Sequence, residues 1–226
     1  MAIQLKSSGD VAVQQVRLLV YGQAGAGKTS LIPTLPAPVI LSAEAGLLSI
    51  SGSNLPFVEI NSVETLREAY QWLTESSEAN QFQSVALDSI SEIAEVVLAN
   101  EKATAKDPRQ AYGALQDVMG GIIRAFRDLP GKSVYFTAKL EKSQDEMGRI
   151  LYSPSMPGAK LGQQLPYFFD LVLPLRIEKD AEGNTVRSLQ CQSDGLWTAK
   201  DRSGRLDPWE PADLGHIIRK IQGGAS

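Results

Sequence analysis

The chain of 226 residues has little of what several common kinds of site require. It contains one cysteine, Cys191, and one histidine, His216, so an internal disulfide, a cysteine-rich zinc site and a multi-histidine metal site are excluded. A Ser-His-Asp triad would have to be built on His216 alone. We expect His216 to be a structural or exposed helix residue and Cys191 to be an inert thiol buried in a strand.

Long apolar runs are also missing. No run reaches the roughly 18 apolar residues that suggest a membrane-spanning helix. The segment from Met1 to Asp10 has no positively charged stretch followed by an apolar one, so we expect no secretory signal. We therefore expect a soluble protein of a reducing compartment, the cytoplasm, with no membrane partner.

Charge of one sign is not in large excess. The chain has 22 Lys and Arg and 26 Asp and Glu, a net charge of −4, which argues against a protein that coats nucleic acid with its whole surface. Residues 99–179, however, hold 12 Lys and Arg against 9 Asp and Glu. A locally basic face on an acidic protein is therefore compatible with the sequence.

What the sequence does have is a regular alternation of apolar runs and helical patterns. Four short runs predict strands buried on both faces, at residues 16–21, 38–42, 84–88 and 133–138. Helical patterns lie between them, at residues 62–75, with Ser62 as N-cap, 89–105 and 109–129. This order predicts one α/β domain over residues 1–226, with a mostly parallel sheet flanked by helices and an N-terminal extension at 1–15.

The last third of the chain has a different pattern. A turn at 145–148 predicts a β-hairpin or a mobile loop, and the runs 169–178 and 185–192 predict a C-terminal β-hairpin. A final helix is predicted from Pro211, near its first position, to Ile221, with Gly223 after its end.

A complete phosphate-binding pattern, G-x-x-x-x-G-K-[ST], lies between the first strand and a predicted helix. Its glycines allow successive backbone N–H groups to turn toward an anion, and Lys28 supplies a positive charge for the β- and γ-phosphates. We therefore predict that ATP is bound by Gly22, Gln23, Ala24, Gly25, Ala26, Gly27, Lys28, Thr29 and Ser30.

Two carboxylates follow strands that should end beside this loop. Asp88 ends the run 84–88, and with the Thr29 hydroxyl it is the expected site for Mg²⁺, which takes few protein oxygens. Asp88 could instead cap the helix that follows. Glu44 comes after the run 38–42 and can align a water molecule against the γ-phosphate. As an isolated loop residue, Glu44 could equally be a solvated carboxylate.

The motifs GQAGAGKTSL, SAEAG, VALDS and VYFTAK, in this order, resemble the ATPase core of RecA-type recombinases over residues 16–222. In particular they resemble the small phage-encoded RecA-like proteins of the Sak annealing and recombinase group, phage AAA-family ATP-binding proteins. The resemblance implies that Glu44, in its Ala-Glu context, is the catalytic base. It also implies that Thr137 and Lys139 lie where the family senses the γ-phosphate.

The same resemblance implies two sites of contact beyond the ATP site. Residues 140–161 correspond to a DNA-binding loop, and Lys102 to Tyr112 lie near another. Lys200 and Arg202 resemble the basic residues that RecA filaments direct at a neighbouring subunit's ATP, which gives a catalytic set of Glu44, Lys28, Lys139, Lys200 and Arg202.

Cations interleaved with aromatic rings suit a single strand of DNA, because cations follow the backbone and rings stack on bases. The expected DNA-binding residues are Lys102, Lys106, Arg109, Tyr112, Lys142, Arg149 and Lys160. The resemblance implies a slow, Mg²⁺-dependent and DNA-stimulated ATPase that assists annealing or homologous recombination of phage DNA. Its partners would be single-stranded DNA, copies of itself in a ring or filament, and a single-strand-binding protein, in the cytoplasm of a bacterial host.

Two alternatives stay open at this point. One is a regulatory ATPase that acts on a protein partner without DNA. The other is a small-molecule or nucleotide kinase, for which Arg109, Arg124 and Arg127 could supply the required arginines.

Overall fold

The main structural feature is a twisted sheet with helices on both faces. The computed structural model describes residues 15–44 and 46–223, so residues 1–14 of the predicted N-terminal extension lie outside the described part. The strands described there are β1 (Arg17–Gly22), β2 (Pro38–Ser42), β3 (Phe57–Glu59), β4 (Ser84–Asp88), β5 (Ser133–Gln144), β6 (Ile150–Ser155), β7 (Leu171–Lys179), β8 (Thr185–Gln190), β9 (Lys200–Asp201) and β10 (Trp209–Pro211).

Helices occupy most of the connections between these strands. The α-helices are α1 (Val63–Glu75), α2 (Ile90–Thr104), α3 (Pro108–Arg127), α4 (Ala159–Gln164) and α5 (Leu214–Gln222). Short 3₁₀ helices cover Thr29–Thr34, Leu47–Ser53, Ser77–Gln81 and Leu165–Phe168. In the described residues, no helix is long and apolar enough to span a membrane.

The strand order is β10-β8-β7-β1-β5-β4-β2-β3, with β6 beside β5 and β9 beside β7. The strands from β7 to β3 in this order pair in parallel. Their carboxyl ends therefore meet along one edge of the sheet, which we call the carboxyl edge, and their starts define the amino edge. The predicted α/β class with a mostly parallel sheet is confirmed.

Two hydrophobic cores explain why the strands have continuous apolar runs. Helices α1 to α4 pack on one face, where Leu19 and Tyr21 of β1 point. Helix α5 and two of the 3₁₀ helices pack on the other face, against Leu18 and Val20. Because both faces are covered, successive residues of a strand are all buried, and the usual polar alternation is absent.

Two hairpins extend past the carboxyl edge on either side of β1. Strand β5 pairs with β1 as far as Lys139, and its last five residues pair only with β6. Strand β7 pairs with β1 as far as Pro174 and then continues with β8. Each hairpin therefore projects roughly 15 Å at about 3.3 Å per residue. The segment predicted as a hairpin or mobile loop is a hairpin, and the C-terminal hairpin is confirmed.

Two helix predictions were wrong in detail. The segment after the phosphate loop is a six-residue 3₁₀ helix with Pro33 inside it, because proline lacks the N–H that a longer α-helix requires. Helix α5 begins at Leu214, with Asp213 as the N-cap that accepts from the His216 N–H, while Pro211 lies in β10. Ser62 caps α1 by accepting from the Thr65 N–H, and Gly223 follows α5 with φ +84°, as predicted.

The single cysteine and histidine have structural roles, as expected, although Cys191 directly follows β8 and does not lie in a strand. Cys191 is buried, and burial, followed by nearby carboxylates, raises its pKa to about 12, so it stays a thiol at neutral pH. His216 is hydrogen-bonded through Nε2 to the buried Glu210 carboxylate at 3.1 Å.

Candidate active site

The predicted phosphate loop lies between β1 and the first 3₁₀ helix, at the carboxyl edge. Gly25 and Gly27 have φ values of +74° and +101°, which residues with a Cβ rarely adopt. At its base, a Cβ on Gly22 would lie 3.1 Å from the Leu175 carbonyl oxygen of β7. Glycine at these positions therefore permits a turned backbone whose N–H groups can surround an anion.

Lys28 lies across this loop. Its Nζ donates to the carbonyl oxygens of Gly22 and Gln23, both at 3.0 Å. Burial lowers the Lys28 pKa, while the nearby Glu44 and Asp88 carboxylates oppose this effect. The amine is thus held beside the loop N–H groups, where phosphate oxygens could replace the carbonyl oxygens as acceptors.

The Asp88 carboxylate accepts hydrogen bonds from two hydroxyl groups, one at the start of the first 3₁₀ helix and one on β5. Thr29 Oγ1 donates to Oδ2 at 2.7 Å, and Thr137 Oγ1 donates to Oδ1 at 2.5 Å. Strand β5 lies between β1 and β4, which places Thr137 between the phosphate loop and Asp88. Burial raises the Asp88 pKa, and the two hydroxyl donors oppose this effect.

The Thr29–Asp88 pair fits a magnesium ion held together with ATP. Both groups are oxygen ligands, they are already adjacent, and Mg²⁺ needs few protein ligands because waters and phosphates supply the rest. In the described residues, no group of three or more His, Cys, Asp and Glu side chains could form an all-protein metal site. When bound, the ion would neutralise charge on the phosphates.

Glu44 is oriented by two serines. Ser89 Oγ donates to Glu44 Oε1 at 2.5 Å, and Ser42 Oγ donates to the Glu44 carbonyl oxygen at 2.6 Å. Ser89 directly follows Asp88, so its hydrogen bond holds the Glu44 carboxylate close to Asp88, the expected magnesium ligand. Nothing in the sequence pattern selects Ser89 except as a helix cap, which it also is, by accepting from the Glu92 N–H.

Lys139 lies level with Gly22 at the end of the part of β5 that pairs with β1. Its Nζ donates to Glu92 Oε2 at 2.5 Å, and this hydrogen bond raises its pKa. Lys139 is therefore close to the loop and charged, but its amine is paired with α2. Its role as a γ-phosphate sensor stays a prediction.

The expected DNA-binding residues divide into two groups. Lys102 Nζ lies 5.4 Å from the centre of the Tyr112 ring, and Tyr112 is close to Gly158, two residues before Lys160. Lys106 and Arg109 are exposed between α2 and α3 and at the start of α3. We call the first group the basic cluster; it consists of Lys102, Lys106, Arg109, Tyr112 and Lys160.

The second group lies on the β5–β6 hairpin. Lys142 Nζ is 5.8 Å from the Tyr152 ring centre, and Arg149 forms an ion pair with Asp145 at 2.7 Å. The Tyr152 ring is itself stacked on Trp197, with centroids 4.1 Å apart. Tyr152 is therefore packed within the protein and is not a free platform for a base.

Lys200 and Arg202 lie at the amino edge, on the opposite side of the sheet from the phosphate loop of the same chain. Lys200 pairs with Val172 near the start of β7. Its Nζ donates to the carbonyl oxygens of Pro166 and Phe169, at 3.0 and 2.6 Å. The resemblance implied that this amine reaches a neighbouring subunit's ATP; instead, backbone carbonyls of its own chain accept from it.

Arg202 is exposed, and its Nη1 donates to Asp170 Oδ1 at 3.0 Å. The arginines that kept a kinase possible do not converge on the phosphate loop. Arg127 is at the amino edge, where its carbonyl oxygen accepts from Arg17, and Arg124 lies over the Phe168 ring.

Arg187, which the sequence did not indicate, lies against the phosphate loop. Its Nε donates to the Ala26 carbonyl oxygen at 2.9 Å across a separation of 161 residues. Tyr135, also unexpected, donates its buried hydroxyl to the Lys28 carbonyl oxygen at 2.8 Å. Neither residue belongs to a local motif, so no sequence signal could have found them.

A match at the level of the protein family agrees with this geometry. The sequence model of a family described as AAA domain matches residues 14–203, more than four fifths of the chain. No curated protein matches. Among the solved structures that match is a KaiC-like protein from Pyrococcus horikoshii OT3, with 14% identity, coverage of 77% of this chain and 76% of that chain, and a TM-score of 0.42. The family match and the loop geometry lead to one conclusion: the chain belongs to the AAA domain family and is a P-loop ATPase.

Proposed function

We propose that this ATPase is an ATP- and Mg²⁺-dependent protein that binds single-stranded DNA and assists strand annealing and recombination. The proposal is carried by one observation: the exposed basic cluster is attached to α2, the helix that follows Asp88. A first connection between the ATP site and the rest of the carboxyl edge runs through the β5–β6 hairpin. Thr137 donates to Asp88, and five residues later on β5 stands Lys142, beyond the edge of the sheet. A change at the phosphates can therefore be transmitted along a continuous strand.

A second connection joins the ATP site to the basic cluster. Ser91, in the first turn of α2, accepts from the Lys139 N–H at 3.0 Å and donates to the Ser155 carbonyl oxygen at 2.7 Å. It thereby links the helix that follows Asp88 to both strands of the hairpin. The basic cluster lies farther along α2 and at the start of α3, so both candidate DNA surfaces are attached to the same element.

The basic cluster is the better candidate for contact with DNA. Its four cations are exposed, and Tyr112 is 41% exposed beside Lys102. On the hairpin, by contrast, Lys139 and Arg149 are already paired with carboxylates. Exposed cations that follow a phosphate backbone, together with an accessible ring, are the elements of single-strand binding.

A partner protein is the second candidate, because of the hairpin tip. Met147 is 81% exposed and Ile150 is 47% exposed. Residues 139–155 carry three cations and three carboxylates, so the hairpin has no net charge with which to attract DNA. An exposed apolar tip on a neutral hairpin suits a protein surface.

Assembly of chains is part of the proposal. In a head-to-tail arrangement, the amino edge of one chain would pack against the carboxyl edge of the next. Arg202, exposed at the amino edge, is the cation that could then approach the neighbour's phosphates, as the resemblance to RecA-type proteins implies.

The test measures anisotropy of a labelled oligo(dT) single strand with ATP, with ADP and without nucleotide, over a range of salt concentrations. We expect tightest binding in one nucleotide state and a steep fall with salt. Replacing Lys102, Lys106 and Arg109 together by Gln should flatten the logarithmic salt slope by about 2, because each phosphate that is no longer neutralised reduces the slope by roughly 0.7.

Two further variants serve as comparison. Met147→Ser/Ile150→Ser alters the tip of the β5–β6 hairpin, and Lys179→Gln removes an exposed cation from the β7–β8 hairpin. Both should keep wild-type DNA binding. If the wild-type protein binds no single-stranded DNA in any nucleotide state, the DNA proposal is rejected. Binding of a protein partner at the hairpin tip is then the function to test.

A further inference from the structure

The β7–β8 hairpin brings an arginine to the phosphate loop from the far end of the chain. Arg187 of β8 pairs with Ile177, two residues beyond Leu175, which lies beside Gly22. The hairpin therefore stands next to the loop and rises past it. The Arg187 side chain is directed back toward the loop, since its Nε donates to the Ala26 carbonyl oxygen at 2.9 Å.

The loop leaves room for this arginine. A Cβ built on Gly27 would lie 3.1 Å from Arg187 Nε, closer than ordinary van der Waals contact, and 3.4 Å from its Cδ. Gly27 directly precedes Lys28, the residue whose amine lies beside the N–H groups of the phosphate loop. The Arg187 side chain is therefore seated against the glycine that precedes Lys28.

Most of the donor capacity of Arg187 is directed to no protein group. A guanidinium has five N–H donors, and the Nε–H is engaged by Ala26. Toward residues 15–44 and 46–223, the two Nη nitrogens make no hydrogen bond or ion pair, and the residue is exposed. By comparison, Arg176 on the same hairpin is held by Gln190 and Glu178.

We infer that Arg187 is a nucleotide-binding residue that donates its Nη N–H groups to the phosphate chain of ATP, within the same chain. The Nε bond to the loop fixes the guanidinium plane, and the free edge matches phosphate oxygens in the fork geometry that arginine provides. The inference rests on the assignment of the loop as the ATP site and is independent of DNA binding.

The experiment is a calorimetric titration of the whole chain with ATP and, separately, with inorganic tripolyphosphate. Arg187→Met should weaken the binding of both ligands by the same factor, roughly tenfold to a hundredfold, because a charge-assisted pair is removed. Lys179→Met removes a cation from the same hairpin away from the loop and should stay within about twofold of wild type, as expected for a screened surface charge.

The salt dependence separates phosphate contact from mere support of the loop. Arg187→Met should have a shallower dependence of Kd on salt, whereas Arg187→Lys, which retains the charge, should keep the wild-type slope. A loss confined to ATP would assign Arg187 to the base or ribose and overturn the inference. An unchanged salt slope in Arg187→Met, or unchanged affinity, would overturn it as well.

Wild-type binding of ATP in the same titration verifies the phosphate loop itself. No DNA is present, so a failure of the DNA proposal leaves this result unaffected. Thermal unfolding of each variant checks the fold, which we expect to be intact because Arg187 lies exposed on a hairpin surface.

Discussion

The two edges of the sheet use the same interaction for different ends. Among the described residues, three lysines each donate to two backbone carbonyl oxygens. Lys28 does so at the carboxyl edge, to Gly22 and Gln23. Lys132 does so at the amino edge, to Ala79 and Phe82, as does Lys200, to Pro166 and Phe169. Burial lowers the pKa of all three amines.

The difference lies in the carbonyls that accept. At the amino edge they belong to residues in or directly after the 3₁₀ helices 77–81 and 165–168, and the Ala79 carbonyl also accepts from the Phe82 N–H. The lysines supply donors to these helix ends. At the carboxyl edge the same kind of amine lies beside a loop whose own N–H groups attract anions. Of the three lysines, Lys28 is therefore the one that can exchange its carbonyl acceptors for phosphate oxygens.

The largest expected effect comes from removing the exchangeable amine. Lys28→Ala should lower ATP turnover by roughly a hundredfold or more, because positive charge is removed where negative charge develops. The midpoint of thermal unfolding should hardly change, since the amine caps no helix end. Steady-state ATPase assays measure the turnover, and thermal unfolding measures the stability. Turnover at the wild-type rate would disprove the assignment of the phosphate loop as the ATP site.

The next effect concerns the carboxylate held by Ser89. Glu44→Gln should retain ATP binding and slow hydrolysis by about 10²–10⁴-fold, since an amide of similar shape is a poor base. Calorimetry and single-turnover hydrolysis provide the two measurements. If ATP affinity falls together with the rate, Glu44 binds nucleotide or supports structure, and its role as base must be abandoned.

A third prediction asks whether the two edges meet between chains. Arg202→Ala and Glu44→Gln proteins should each have low ATPase activity, and their mixture should recover part of it. In mixed assemblies some interfaces combine an intact Glu44 with an intact Arg202 from the next chain. Arg202 is chosen without Lys200 because loss of Lys200 would leave backbone carbonyls unsatisfied. No recovery, with both proteins folded and assembled, would confine Arg202 to its ion pair with Asp170.

The same contrast between the edges shows which parts of the molecule the sequence could predict. Strands such as 84–88 were predictable because burial on both faces leaves an unbroken apolar run. The phosphate loop was predictable because its chemistry requires glycines, Lys28 and Thr29 at fixed spacing. Both signals are local, and so were the N-cap at Ser62 and the glycine after α5.

Contacts between distant segments carried no such signal. Lys200 matched a basic motif, yet its amine is held by the carbonyl oxygens of Pro166 and Phe169, which are 34 and 31 positions away. Arg187 reaches a loop 161 residues away only because β7 and β8 extend beyond β1. Helix α5 begins after Asp213 and not at Pro211, because Pro211 is taken up by β10 and the Asp213 side chain caps the helix.

A fourth prediction concerns stability at the amino edge. Lys132→Met and Lys200→Met should each lower the free energy of unfolding by about 1–3 kcal/mol, because carbonyl groups lose their donors. ATP turnover per folded molecule should be preserved, in contrast to Lys28→Ala. Urea unfolding and ATPase assays measure the two quantities, with Lys179→Met as a control at an exposed position. Undiminished stability would remove the distinction between the two edges.

The smallest expected effect is a pH dependence that belongs to Lys132. Burial holds its pKa in the folded protein below the value of about 10.4 that lysine has in an unfolded chain. Between these two values the unfolded state binds more protons, so this residue's contribution to stability rises with pH through that window. The neutral amine still has two N–H donors for the two carbonyls of Ala79 and Phe82. The difference in unfolding free energy between wild type and Lys132→Met should therefore widen as the pH rises from neutral toward that value. A difference that narrows over this range would mean that Lys132 must keep its charge to hold the helix end.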